Sequence, residues 1–138
     1  MATLRLPPPV RAELETAARA GYPHEVCGLL IGARDGDDCR VDAMRTARNL
    51  NRERARDRYE LDPADYLAAE TDARAAGREI VGVWHTHPDH PAAPSETDRA
   101  AAWEGWSYLI LSVARDGVRE FASWRLAGSA FEREEIAS

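Results

Sequence analysis

The sequence predicts a layered α/β or α+β domain built on a mixed sheet, and three observations carry that expectation. Two Asp-Gly turn signals, Asp35-Gly36 and Asp116-Gly117, each stand between apolar runs, as hairpin turns do. Two segments with helical spacing follow prolines, at Pro7 to Pro9 and at Pro63. A further apolar run, Glu79 to His87, stands apart from both hairpins and stops against Pro88. The chain of 138 residues falls within the size of one domain, and its 44% hydrophobic content is enough to bury a core.

Each element has its own signal. Thr3 to Leu6 reads as a short strand, and the prolines after it open a helix over Val10 to Ala20, with Val10, Leu14 and Ala17/Ala18 at helical spacing. Glu25 to Ala33 is a mostly buried strand whose hairpin partner is Cys39 to Ala47. A two-residue turn there pairs Arg34 with Asp37, hence Cys27 with Met44 and Cys39 with Gly32. Asn49 to Arg58 is a polar loop and Tyr59 to Leu61 a brief strand. Asp62-Pro63 then supplies N-cap and first turn for a helix to about Ala76, closed by Gly77. Glu79 to His87 is a strand and Ser95 to Trp103 a short helix. Trp106 to Ala114 and Val118 to Leu126 make the second hairpin, and the acidic tail from Ala127 is expected to be half ordered.

Charge and cysteine usage narrow the function classes. A net charge of −6 argues against a nucleic-acid partner, which requires a basic footprint. The N-terminus has no apolar signal region, and the apolar run Tyr108 to Leu111 is far too short to span a bilayer, so no membrane partner and a cytoplasmic location are expected. Cys27 and Cys39 do not face each other in the hairpin, which suits a reducing compartment. All eighteen basic residues are arginine, a bias that genome composition explains.

The chemistry concentrates in HTHPDHPAAPSETD. Three of the four histidines, His85, His87 and His90, fall within six residues, with Ser95 and Asp98 following. On a strand, residues two apart share a face, so His85 and His87 can bind one metal. Two histidines at a strand end are as readily idle, because a zinc site takes three or four ligands. Asp98 fits the third position of a helix capped by Ser95, which accounts for it without a metal; the same placement also suits a ligand. HTHPDH satisfies a binuclear H-x-H-x-D-H pattern too, but that site needs later histidines and none follows His90. Asp89 and His90 are therefore rim residues. A hydrolytic metal site needs a general base, for which Glu25, ahead of a buried strand, is the candidate, although the residues alone favour an exposed strand-entry carboxylate. His24 is not counted as a ligand; Cys27 faces the site by parity and is best read as a small core residue.

Glu25 before CGLLIG, with H-x-H-x7-S-x2-D some sixty residues on, resembles the JAMM metallopeptidases, active MPN-type domains of the compact prokaryotic kind. YELDP at Tyr59 to Pro63 and WSYLILSV follow in the same order, so the similarity covers nearly the whole chain. The resemblance implies a three-layer α-β-α sandwich around a mixed, largely antiparallel curved sheet. It implies one Zn²⁺ held by His85, His87 and Asp98, a water activated by Glu25, and Ser95 assisting the tetrahedral intermediate. It also implies a peptide or isopeptide substrate cut after the Gly-Gly of a small ubiquitin-like or sulfur-carrier protein. A non-catalytic interaction module, a nuclease-like relative and a small-molecule amidohydrolase are the alternatives.

Two further expectations concern the surface. Residues 45 to 58 hold six arginines against Glu53 and Asp57, a local charge of +4, and Arg48, Arg52 and Arg54 are candidates for gripping an acidic protein substrate. Trp103, Trp106, Tyr108 and Trp124 read as core and sheet-face residues without a functional role.

Overall fold

The computed structural model describes residues 2–51 and 59–138. In chain order the elements are β1 (Thr3–Arg5), α1 (Pro8–Gly21), β2 (Cys27–Asp35), β3 (Asp38–Ala47), α2 (Pro63–Ala75), β4 (Glu79–Pro88), α3 (Glu96–Ala101), β5 (Ser107–Ala114), β6 (Gly117–Ala127) and β7 (Ala130–Ala137). The strands close into a barrel in the order β1-β3-β2-β4-β5-β6-β7. Two junctions inside that order are parallel, β1 with β3 and β4 with β5, and the closing pair β1 with β7 is parallel as well.

This corrects the expected three-layer α-β-α sandwich. The sheet curls until β7 meets β1, and the helices lie against a closed surface instead of forming two outer layers. The acidic tail makes the difference, because it is not half ordered but forms β7, antiparallel to β6 and parallel to β1. Its strand pattern is concealed by a glutamate that faces inward: Glu134 is buried, accepts from the Ser123 hydroxyl at 2.5 Å and pairs with Arg125 at 2.6 Å.

The helices start where the prolines predict. Asp62 caps α2 by accepting from the Ala64 N–H at 2.9 Å, and the left-handed Gly77 (φ 73°) ends its last turn. Helix α1 buries Val10, Leu14 and Ala18 against Leu30, Val41, Leu109 and Leu111, while α2 presents Ala69 and Ala73 to Leu29, Ile80 and Val83. Alternate residues of β2 thus serve two different cores. Truncating the fully buried Leu14 to Ala would cost about 2–5 kcal/mol.

The first hairpin turns one residue later than expected. Asp35 pairs with Asp38, so Cys39 lies opposite Arg34 and not Gly32. A bulge between Ile31 and Gly32 then moves Cys27 opposite Ala47 rather than Met44. The thiols remain apart, and both cysteines are free and buried. The expected strand at Tyr59 to Leu61 is a single bridge, Asn49 to Leu61, and residues 52–58 of the expected polar loop lie outside the described residues. Among the described residues no helix is long and apolar enough to cross a membrane.

Gly28 shows how tightly β2 is held to the strand that carries the histidines. A Cβ there would run into the Arg45 carbonyl oxygen and the Trp84 ring, whose indole N–H donates to that same carbonyl at 3.0 Å. The absence of a side chain at Gly28 is what lets Trp84 seal the core between β2, β3 and β4.

Candidate metal centre

Strand β4 delivers the two histidines to one place. His85 and His87 are two residues apart on the same face, both buried, with their Nε2 atoms 3.1 Å from each other. Behind them Thr86 ties β4 to the segment before β2: its hydroxyl accepts from the Val26 N–H at 3.0 Å and its own N–H donates to the Val26 carbonyl at 3.0 Å. This double tie holds Glu25, which is buried and not exposed, against the histidines. One carboxylate oxygen of Glu25 and one ring nitrogen of each histidine lie within 4.8 Å of one another.

Asp98 arrives from α3. The capping box expected from the sequence is present: the Asp98 N–H donates to Ser95 Oγ at 3.1 Å, and the Ser95 N–H donates to Asp98 Oδ2 at 2.9 Å. The same carboxylate reaches His87 Nε2 at 3.1 Å through Oδ2 and His85 Nε2 at 3.4 Å through Oδ1. One carboxylate thus caps the helix and faces both histidines. The helix itself ends at Ala101, short of the expected Trp103.

The proton positions show what this cluster requires. His87 Nδ1 lies 2.9 Å from the Pro91 carbonyl oxygen, which can only accept, so Nδ1 carries a hydrogen. In the neutral ring Nε2 is then a lone pair, facing a carboxylate oxygen at 3.1 Å. A neutral His85 offers at most one hydrogen to this group, and no placement of it relieves the contact between His87 and Asp98. The contact is satisfied by a further proton or by a metal ion between His87 and Asp98.

Three donors on a tetrahedral zinc with bonds of about 2.0–2.1 Å would stand about 3.3 Å apart. The two Nε2 atoms are 3.1 Å apart, and each faces a different oxygen of Asp98, that of His87 facing Oδ2 at 3.1 Å and that of His85 facing Oδ1 at 3.4 Å. His85, His87 and Asp98 are thus close enough to share one ion, and the hydrogen bond from His87 to Pro91 fixes the His87 ring.

The electrostatics agree. Burial pushes His85 toward its neutral form, against the opposing hydrogen bond and charge of Asp98. Burial acts on His87 in the same sense, but hydrogen bonds to Asp98 and Pro91 outweigh it and raise this group. Burial would raise Asp98, yet its hydrogen bonds to both histidines hold it well below the usual carboxylate range. An ionised carboxylate beside two imidazoles is the donor set that divalent zinc selects.

Two cavities flank the centre. One, about 310 Å³, is lined by Glu25, His87, His90, Pro91, Ala93 and Ser95. The other, about 250 Å³, is apolar, with Tyr59, Tyr66, Trp103, Trp106 and Tyr108 among its walls and Asp98 at its edge. Sequence reasoning missed this second cavity. Trp103, expected in the core, is 71% exposed and stacks on Trp106 at 6.2 Å between ring centroids. Tyr59 stacks on His85 at 4.5 Å, a contact signalled only by its place in YELDP.

The remaining candidates divide. Cys27 pairs with His85 across β2 and β4, but burial first, then the charges of Glu25 and Asp65, push its thiol up to about 12, and its Sγ lies near the Ala47 and Arg48 carbonyls. It is a buried and inert thiol. His24 is exposed. Arg48 lies 3.4 Å from Asp62 and 3.9 Å from Asp65, and Arg45 is 2.7 Å from Asp72, so both described arginines meet acids of α2 or its cap. Arg52 and Arg54 lie outside the described residues.

Comparison with known proteins places this geometry in context. The family model described as prokaryotic homologs of the JAB domain matches residues 7–127. A desampylase of Haloferax volcanii is 38% identical over 116 residues, covering 83% of this chain and 78% of the relative. A CysO-cysteine peptidase of Mycobacterium tuberculosis is 31% identical over 135 residues, covering 92% and 88%. The solution structure of a protein from Desulfitobacterium hafniense superposes with a TM-score of 0.84 at 34% identity, covering 99% of this chain and 91% of that one.

Proposed function

The chain belongs to the prokaryotic JAB-domain family and is a JAMM-type peptidase, and on that premise we propose that it is zinc-dependent and cuts after the C-terminal Gly-Gly of a small ubiquitin-like or sulfur-carrier protein. The observation that carries the zinc reading is the convergence of the His85 and His87 Nε2 atoms, 3.1 Å apart, on the Asp98 carboxylate, with the buried Glu25 beside them. The substrate class is supported by the two relatives, one named desampylase and the other CysO-cysteine peptidase.

A bound zinc ion supplies a Lewis acid and a water of lowered pKa. The chain's own residues do the rest. Glu25, buried within 4.8 Å of the His85 and His87 nitrogens, would serve as the general base that accepts a proton from the attacking water and passes it to the leaving amine. Ser95 Oγ accepts from the Asp98 N–H at 3.1 Å, which leaves its hydroxyl hydrogen to donate to the substrate oxygen as charge develops there.

Elemental analysis of the purified protein, with cleavage of a carrier protein extended beyond Gly-Gly, tests the reading. One zinc per chain and cleavage that depends on it are expected. Glu25→Gln should keep the zinc and lose about 10²–10⁴-fold in kcat; a full rate in that variant would remove Glu25 from its role.

A further inference from the structure

The two polar residues on the cleft rim, Asp89 and His90, are used differently. Asp89 has a left-handed backbone (φ 59°), and its carboxylate oxygens lie 2.8 and 2.9 Å from the Tyr22 hydroxyl, which donates to them. Its charge is committed to the frame. His90 is exposed and lines the cleft together with Glu25, His87 and Ser95, and among the described residues its ring has no hydrogen-bond partner.

The backbone beneath His90 is pinned. The Asp89 N–H donates to the Val113 carbonyl at 2.8 Å, the Ser112 hydroxyl donates to the His90 carbonyl at 2.6 Å, and the Trp124 indole donates to the Ala92 carbonyl at 3.1 Å. A side chain carried on so fixed a loop gives up little freedom on binding.

The position of Glu25 orients the substrate. The group that protonates the leaving amine must sit beside it, so the leaving portion occupies the cleft that Glu25 and His90 share. Asp98 borders the aromatic cavity on the other flank, which falls to the acyl side. At about 310 Å³ the cleft holds one small residue with some water, each water taking about 30 Å³. A departing amino acid carries a carboxylate close to its nitrogen, whereas a lysine side-chain amine does not. Glu25 is acidic and His87 is engaged at the centre, which leaves His90, among the described residues lining the cleft, as the basic side chain to meet that carboxylate.

Resting on the peptidase reading above, we infer that His90 is a specificity-determining residue that receives the free α-carboxylate of the leaving group. The favoured substrate is then a carrier protein bearing one added C-terminal amino acid, in preference to a lysine isopeptide.

Two substrates test this, each a carrier ending in Gly-Gly plus one residue, the first with a free C-terminal carboxylate and the second with a carboxamide. A hydrogen bond to a charged group predicts a kcat/KM about tenfold or more higher for the carboxylate. In His90→Ala that ratio should fall to near one, chiefly through KM, and His90→Gln, which keeps a donor, should recover part of it. Calorimetric binding of both substrates to Glu25→Gln protein reads the same preference without turnover. Equal rates in the wild type, a preference surviving in His90→Ala, or a faster lysine isopeptide would overturn the assignment and leave the peptidase reading standing. Zinc-loaded wild type that cleaves no Gly-Gly substrate of any kind would defeat both.

Discussion

Two buried polar clusters in this barrel invite comparison, because one pairs opposite charges of the same chain and the other gathers groups of a kind that bind metal. Where β6 meets β7, Glu134 is buried and paired with Arg125 at 2.6 Å and with the Ser123 hydroxyl at 2.5 Å. Negative charge there meets positive charge from the same chain. At the end of β4, His87 and Asp98 turn acceptors toward each other at 3.1 Å, and the His87 hydrogen is spent on Pro91. Burial alone therefore does not mark a functional site. What marks it is the convergence of two histidines and two carboxylates, held together by β4, a capping box and the Thr86 tie.

The largest test of this contrast is His87→Ala. We expect zinc content to fall to background and peptidase activity with it. Wild type with free zinc at a hundredfold over its dissociation constant should gain about 2.7 kcal/mol in stability, a gain absent from the variant. A zinc-independent melting temperature in the wild type would break the comparison at its first term. Next comes Glu134→Ala, which strands Arg125. Breaking a buried pair by removing one partner costs about 3–5 kcal/mol, and Arg125, at 17% side-chain exposure, belongs at the lower end. Zinc content and specific activity of the folded fraction should not change. The double replacement Arg125→Met/Glu134→Leu should recover much of the loss, as chemical denaturation would show.

The same contrast explains what the sequence made legible. His85, His87, Ser95 and Asp98 are legible because strand parity and capping chemistry are local rules, and α3 obeys its capping box residue for residue. The two hairpins and the proline-led helices follow from equally local signals. The barrel was hidden because its closing strand carries the buried Glu134, whose partners Ser123 and Arg125 lie on another strand. Bulges at Ile31 and Gly32 are likewise invisible to a count of residues from the turn, so Cys27 was assigned the wrong partner. The burial of Glu25 depends on a tie to Thr86 sixty residues away, and only the family resemblance pointed to it.

Ser95→Ala comes third, and it separates two roles that share one oxygen. As a cap, the hydroxyl accepts from Asp98 N–H at 3.1 Å, and its loss should cost about 1 kcal/mol of stability. As an oxyanion donor it should be worth about 10²-fold in kcat. Ser95→Asn, which restores a good cap without placing a hydroxyl in the cleft, should recover the melting temperature and leave kcat low. If activity returns with stability, Ser95 acts only by holding Asp98 in place.

The smallest effect belongs to the rim, where Tyr22 donates to Asp89 at 2.8 and 2.9 Å across an exposed surface. A hydrogen bond to a charged acceptor is worth about 1.5–3 kcal/mol in general, and exposure places this one at or below the bottom of that range. Tyr22→Phe should therefore cost about 1 kcal/mol by denaturation. Zinc affinity should not move, because no ligand is touched. The informative quantity is KM, since the freed Asp89 carboxylate would sit beside His90 and compete with the substrate for it. A rise in KM for the carboxylate substrate, absent for the carboxamide, would show that Tyr22 keeps Asp89 from competing with the substrate for His90. An unchanged KM would confine the Tyr22 contact to stability and place it with Glu134, among the polar groups that the chain settles internally.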